Sequence, residues 1–150
     1  MKCKPVMAAI GMLALVALVI VVMALTIIGA AHAATFNGDP CQTAGARKLS
    51  VAISDSASGE TQLIAGVAGE QIYVCSYPFD LSGTSPTAEF DEGTGTACGT
   101  GTTALTGAFT TGKQPSAGAT QLTAADGQSL CLKLAGTSPV AAGAIVYVQQ

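Results

Sequence analysis

The chain begins with a long apolar run and then changes to short segments in which apolar and polar residues alternate. A basic start at residues 1–5 precedes the apolar residues 6–31, and the small-x-small sequence Ala-His-Ala follows at residues 31–33. These are the three parts of a secretory signal peptide. We therefore expect cleavage between Ala33 and Ala34 and export of residues 34–150.

The length of the apolar run leaves an alternative open. The apolar part of a signal peptide usually has about 7–15 residues, whereas a membrane-spanning helix needs about 20. Residues 6–31 are long enough to span. If they are not removed, they form a membrane anchor whose basic end stays in the cytoplasm. In both cases residues 34–150 lie outside the cytoplasm.

Beyond the leader, the pattern predicts an all-β domain. Gly, Pro, Ser and Asp clusters, such as those at 82–86 and 136–139, separate short β-branched segments. This spacing is typical of a single β-sandwich or jelly roll, which we place at residues 49–150 after an N-terminal extension at 34–48. The eight predicted strands are 49–54, 62–67, 71–77, 87–91, 104–110, 120–123, 129–134 and 144–149. We expect the last strand to pair within its own sheet.

Composition narrows the function of the exported part. Residues 34–150 contain no His, Met or Trp, and four basic residues against nine acidic ones give a net charge of −5. An acidic surface does not favour nucleic acid, whose binding requires a basic patch. Without a histidine or a G-x-S-x-G motif there is no recognisable nucleophile with its base. We predict no enzymatic activity and no cofactor.

Four cysteines remain in the exported part. An even number in an oxidising compartment predicts two disulfides, and without a CxxC motif or a histidine no zinc site is expected. Cys75 and Cys131 both fall within predicted strands, and Cys131 shares a strand face with Lys133. Cys41 and Cys98 fall in loops. The pattern favours the pairs Cys75–Cys131 and Cys41–Cys98, and the other two pairings stay possible.

Gly and Thr dominate residues 93–112, where they make up fourteen of twenty positions. Residues 99–104 match the dinucleotide-binding pattern G-x-G-x-x-A, but that motif functions only between a strand and a helix. Here a Thr-rich strand follows. We therefore interpret the first half of this segment as an exposed loop and its second half as an edge strand.

Five residues form a possible binding surface. Glu89 and Asp91 share one strand face, beside Glu92, and could hold Ca²⁺ or act as an acid/base pair. The alternative is a solvated outer face. Tyr73 and Tyr77 also share a strand face and could stack on a sugar, or they could simply pack on the sheet.

Three segments carry a resemblance to a known group of proteins. They are QIYVCSY at residues 71–77, EFDEGTGTACGTGTTALTG at 89–107 and SLCL at 129–132. With Asp-Pro-Cys at 39–41, they resemble small β-sandwich proteins encoded by bacteriophages and prophage-like regions, over residues 39–150. The resemblance implies a virion or surface structural component without catalytic residues. The leader is a departure from that group, and it favours a periplasmic, extracellular or envelope-linked assembly.

These observations predict a non-enzymatic structural or assembly subunit, displayed on a virion, a filament or a cell surface. The alternative is a secreted binding or adhesion module that recognises a glycan or a surface receptor. We expect a homo-oligomer or other assembly partners, and contact with a membrane only through residues 6–31 if these are retained.

Overall fold

Seven antiparallel β-strands and one turn of 3₁₀ helix, Thr96–Cys98, make up the regular structure in a computed structural model that describes residues 38–115 and 118–150. The all-β prediction is therefore confirmed. The strands are β1 Leu49–Asp55, β2 Gly59–Ile64, β3 Ile72–Ser76, β4 Phe79–Thr94, β5 Thr100–Ala104, β6 Leu122–Ala124 and β7 Ser129–Gln149. The predicted signal peptide or anchor and its cleavage site lie outside the described residues. Among the described residues, no helix has the length and apolar character to cross a membrane.

The last strand, β7, organises the sheet because both of its edges are paired. One edge pairs with β4 and then with β3, and the other pairs with β2 and then with β1. The sheet continues outward from β4 to β5 and from β3 to β6. The predicted strand 144–149 is the end of β7, paired within its own sheet as expected.

The sheet is strongly curled. β6 pairs with the start of β3, at Ile72↔Ala124, whereas β7 begins against the end of β4, at Gly93↔Ser129. In a flat sheet Ile72 and Gly93 would lie about 70 Å apart at about 3.3 Å per residue. The connection from Ala124 to Ser129 spans at most about 18 Å, so the ends of the sheet must approach each other. The result is a half-barrel. The predicted sandwich or jelly roll is not confirmed, because all seven strands belong to one sheet.

The inner face of the curled sheet holds the main core. The fully buried side chains there include Phe79 on β4, Phe90 on β4, Leu132 on β7 and Ile145 on β7. The rings of Phe79 and Phe90 meet edge to face, with centroids 5.9 Å apart. Phe109 packs against both rings and pairs with the backbone of Ala88. The predicted strand 104–110 is therefore replaced by β5 and an isolated bridge at Phe109.

Two segments predicted to separate strands lie inside strands instead. Residues 83–86 and 136–139 have the same sequence, Gly-Thr-Ser-Pro, and they face each other across β4 and β7 with Thr84 opposite Thr137. The two serines, Ser85 and Ser138, have a φ of 49°. Each Ser-Pro inserts one extra residue opposite the glycine of the other strand, which makes a matched pair of β-bulges.

The matched bulges explain why the strands are long. Proline has no N–H for a sheet and is tolerated at a bulge, so Pro86 and Pro139 do not end their strands. In β4 the buried side chains have odd numbers before the bulge, as at Phe79, and even numbers after it, as at Ala88. In β7 the buried side chains change from even to odd numbers at the facing bulge, so the inner face stays continuous. The sheet therefore has seven strands where the sequence predicts eight.

The disulfides join other cysteines than predicted: Cys41 with Cys75, and Cys98 with Cys131. Cys75 lies where β3 runs beside residues 146–147 of β7, whereas Cys131 lies near the other end of β7, opposite Asp91. The two mid-strand cysteines are thus far apart along the sheet. Strand periodicity gives the face of a cysteine but not its level, which is why the predicted pairs Cys75–Cys131 and Cys41–Cys98 are wrong.

The segment before β1 belongs to the same compact unit, which begins at Gly38. Asp39 holds it in place, since its carboxylate accepts hydrogen bonds from the N–H groups of Cys41 at 2.9 Å and Thr120 at 2.8 Å. The bonds from the Thr120 side chain and backbone hold the pKa of Asp39 below its usual value. Residues 38–48 are thus fastened by one carboxylate and one disulfide.

Candidate functional site

The outer face of β7 and its two neighbours carries a group of charged side chains. Glu60 on β2 and Glu89 on β4 lie opposite Lys133 on β7, one on each side. In the next row Asp91 lies opposite Cys131. Residues directly opposite each other in an antiparallel sheet share a face and are close neighbours. We call Glu60, Glu89, Asp91 and Lys133 the acidic patch.

The Thr96–Cys98 turn lies over one end of the acidic patch. Cys98 bonds to Cys131, directly beside Asp91, and so brings the turn onto the outer face. Gly93 permits this close approach, since a Cβ there would lie 2.7 Å from the Cys98 carbonyl oxygen. Ala97 and Cys98 both have left-handed φ angles, of 50° and 56°, a conformation that costs free energy and needs support from its surroundings. The disulfide supplies that support.

Asp91 is the unusual residue of the acidic patch, because it is only 2% exposed and its Oδ1 has no hydrogen-bond partner. Burial raises the pKa of this carboxyl, the nearby charge of Glu89 raises it further, and Lys133 lowers it in part. Lys133 itself lies 3.5 Å from Glu89 and is half exposed, so this ion pair contributes at most about 1 kcal/mol. The patch therefore contains a buried carboxylate that is poorly compensated.

A calcium site at Glu89, Asp91 and Glu92, which the sequence left as one possibility, gains no geometric support. Within residues 38–115 and 118–150, no group of three or more Asp, Glu, Cys or His side chains is arranged to hold a metal ion. Glu89 and Asp91 do share a face, as predicted, but Glu92 points to the other side. Its carboxylate accepts a hydrogen bond of 2.6 Å from the N–H of Ala125. Glu92 thus fastens the end of β4 to the turn before β7.

The two tyrosines predicted to share a face lie in different clusters. Tyr73 packs on the outer side with Cys41 and Cys75, and its hydroxyl donates to the side chain of Gln71. Tyr77 packs on the main core, 5.1 Å from the ring of Phe90, where burial raises the pKa of its hydroxyl. A register shift between Val74 and Ser76 separates them, because one extra residue reverses the face of everything after it.

A feature that the sequence prediction did not single out is the outer edge of β1. β1 pairs with β7 over all seven of its residues without a register shift, and among the described residues nothing pairs with its other edge. Its outward side chains, Ser50, Ala52 and Ser54, are small and exposed. Protein sheets usually protect such an edge with Pro, Lys or a bulge. β1 has none of these: the lack of Pro and Lys is visible in the sequence, and the lack of a bulge in its continuous register with β7.

No protein-family model, curated protein or solved structure matches the chain. The resemblance to phage-encoded β-sandwich proteins stays a prediction, and the function has to be argued from the fold. The acidic patch and the open β1 edge are the two features on which such an argument can rest. The edge offers a partner a row of backbone donors and acceptors, whereas the buried carboxylate of Asp91 is accessible to none.

Proposed function

We propose that residues 34–150 form an exported, non-enzymatic structural subunit that assembles through sheet edges on a virion, a filament or a cell surface. The observation that carries this proposal is the open edge of β1. A seven-residue, regular edge, uncharged from Leu49 to Ser54 and with half-buried Val51 and buried Ile53 on its inner side, matches what a further strand requires. Strand addition supplies affinity through main-chain hydrogen bonds.

The cross-links support the exported location. Both disulfides join parts of the chain more than thirty residues apart, with separations of 34 and 33. Structural disulfides of this kind fit an oxidising, extracellular-type environment. A subunit that has to survive outside the cell gains stability from them, at about 4 kcal/mol each by loop-closure entropy. The leader at residues 6–31 supplies the route.

The alternative, a glycan-binding module, has less support. Tyr73 and Tyr77, which could have formed an aromatic platform for it, pack in separate clusters. Assembly through the edge therefore agrees better with the geometry.

The test is self-association of residues 34–150, whose core and disulfides are complete within residues 38–150. Sedimentation velocity from about 1 μM to about 1 mM, a range that covers weak interfaces, should show an oligomer whose fraction rises with concentration. Ala52→Lys should reduce them, because a lysine on an edge strand opposes pairing. Ala142→Lys is the matched control, since Ala142 is exposed but lies on the fully paired strand β7.

Two outcomes would contradict the proposal. One is a monomer throughout that concentration range, combined with the absence of filaments or rings in electron micrographs. The other is equal association of wild type, Ala52→Lys and Ala142→Lys. Retention of a glycan on an array by a monomer would instead favour the binding module.

A further inference from the structure

We infer that the partner of β1 is β1 of a second copy, paired antiparallel about a two-fold axis at Val51. This inference rests on the proposed function and names the partner and the register. A two-fold axis perpendicular to the sheet keeps the inner and outer faces of both copies aligned. It therefore places residues of the same face opposite each other. Three registers of the pair are to be compared, with the axis at Ser50, at Val51 or at Ala52.

The register centred on Val51 matches side chains by size and polarity. Val51 lies opposite the Val51 of the second copy, and Leu49 lies opposite Ile53. On the outer face, Ser50 lies opposite Ala52, and both are small and exposed. Apolar cross-strand pairs stabilise neighbouring strands, so the inner face would gain three such contacts, while Ser50 and Ala52 leave the middle of the outer face free of bulky side chains.

The same register also matches charges. Arg47, just before β1, lies opposite Asp55 at its end, and the symmetry makes this contact twice. Arg47 is exposed, and no ion pair of Arg47 occurs among the described residues. The Oδ1 of Asp55 accepts only the N–H of Ala57, and its Oδ2 is buried without a hydrogen-bond partner. Oδ1 takes part in an exposed hydrogen bond and can accept a second one, from the guanidinium.

The neighbouring registers lack this complementarity. Centring on Ala52 places Asp55 opposite Leu49 and Arg47 opposite Ala57. Centring on Ser50 places Arg47 opposite Ile53. Of the three, only the axis at Val51 brings Arg47 and Asp55 together, and a two-fold interface of this kind closes on itself as a dimer.

Charge reversal tests the contact. Arg47→Asp and Asp55→Arg should each raise the dimer dissociation constant at least about tenfold, and the double variant should restore it to within about threefold of wild type. Lys48→Asp is the matched control, since it changes the net charge as much as Arg47→Asp but faces Ser54. Net charge alone predicts the opposite result for Asp55→Arg, which makes the acidic protein less acidic and would tighten association.

Cysteine cross-linking tests the register. A mixture of Ser50→Cys and Ala52→Cys should form a disulfide between copies under mild oxidation, because these positions are directly opposite. Each variant alone should not, because like positions then lie about 8 Å apart on the diagonal, beyond the reach of a disulfide. The same mixture run under reducing conditions is the control, because a product held by the new disulfide should then return to single chains.

The outcomes separate the inference from the proposed function. If wild type associates but the charge reversals and the mixed cross-link have no effect, the β1–β1 pairing is wrong and assembly uses another edge. If wild type stays monomeric to about 1 mM, the proposed function fails and the pairing fails with it. If Ser50→Cys alone cross-links, the pairs are centred on Ser50, and the axis at Val51 is wrong.

Discussion

At the scale of single residues, Asp91 is the clearest case of a side chain that weakens the fold. In the unfolded chain its pKa is near 3.8, and burial raises the folded value. The folded state then binds more protons between these two pKa values, so stability falls as the pH rises through that window. The penalty is absent below pH 3.8 and increases as the pH rises through the window.

Replacing this carboxylate with an uncharged isostere should stabilise the protein. Asp91→Asn should raise the free energy of unfolding at pH 7 by about 1–3 kcal/mol, the cost of an unsatisfied buried group, since the amide can donate to Glu60 or Glu89. The gain should disappear at pH 3. Thermal denaturation at both pH values measures it, with the exposed Asp80→Asn as control. A loss of stability at pH 7 would mean that Asp91 has a favourable partner.

At the scale of elements, the matched Gly-Thr-Ser-Pro bulges hold the two longest strands together. Gly83 has a φ of 128°, and a Cβ on it would lie 2.6 Å from the carbonyl oxygen of Ser138. Gly136 stands in the same relation to Ser85, also at 2.6 Å, with a φ of 117°. At each position a side chain would therefore be opposed twice, by the positive φ angle and by the carbonyl oxygen of the facing strand.

Alanine at either glycine should destabilise the fold by similar amounts. Gly83→Ala and Gly136→Ala should each cost about 2–5 kcal/mol, from strain and overpacking together. Gly59→Ala separates the two causes, because Gly59 has the same φ of 128° but nothing within 4 Å, and it should cost only about 1–3 kcal/mol. Denaturant unfolding measures all three. Equal costs at Gly59 and Gly83 would show that the close approach of the strands is unimportant.

The sequence indicates these elements only in part. Periodicity located β1, β3 and both halves of β7 within a few residues, because alternating burial is a local property. It divided β7 at residues 136–139, because Gly, Ser and Pro are the signals of a turn. Nothing local distinguishes a turn from a bulge that is matched by an identical bulge in another strand. The same limitation applies to Tyr73 and Tyr77, whose faces depend on a register shift.

The disulfide pairs can be checked by peptide mapping, provided that the cut is well chosen. Trypsin leaves Cys75 and Cys98 in one peptide, so the observed and the predicted pairs both link the same three peptides. A glutamate-specific protease cuts at Glu89 and Glu92 and separates those cysteines. The combined digest should then give Cys41 linked to Cys75 and Cys98 linked to Cys131. A species that links Cys41 to Cys98 would contradict the observed pairing.

At the scale of the whole molecule, composition predicted the all-β class of the fold better than the curl of its sheet. Scarce charges and abundant Gly and Thr indicate an all-β domain, and the seven-stranded sheet agrees. The curl of that sheet follows from pairings between distant parts of the chain, β6 with β3 and β7 with β4, which the four-residue turn between β6 and β7 brings close together. The open edge of β1 is likewise a property of the assembled sheet, because an edge exists only once the neighbours are known.

The net charge of the whole domain sets how salt should affect assembly. Two copies of charge −5, with centres about 30 Å apart, repel each other by about 3 kcal/mol in pure water. Screening leaves about 1 kcal/mol of this at 10 mM salt and about 0.1 kcal/mol at 150 mM. The attraction between Arg47 and Asp55 weakens little on adding salt, since these charges interact at distances below the Debye length. Association should therefore tighten roughly fivefold between these salt concentrations.

Sedimentation equilibrium at several salt concentrations measures this dependence, and charge variants identify its origin. The Arg47→Asp, Asp55→Arg double variant keeps the net charge and should keep the wild-type dependence. Asp80→Lys, on the exposed side of β4, changes the net charge to −3 and should reduce the dependence to about a third, because the repulsion scales with the square of the charge. Association that weakens as salt is added would mean that contacts between opposite charges dominate the interface. The two Arg47–Asp55 contacts at the Val51 axis are contacts of this kind, and they would then contribute more to association than the net charge of the two copies opposes.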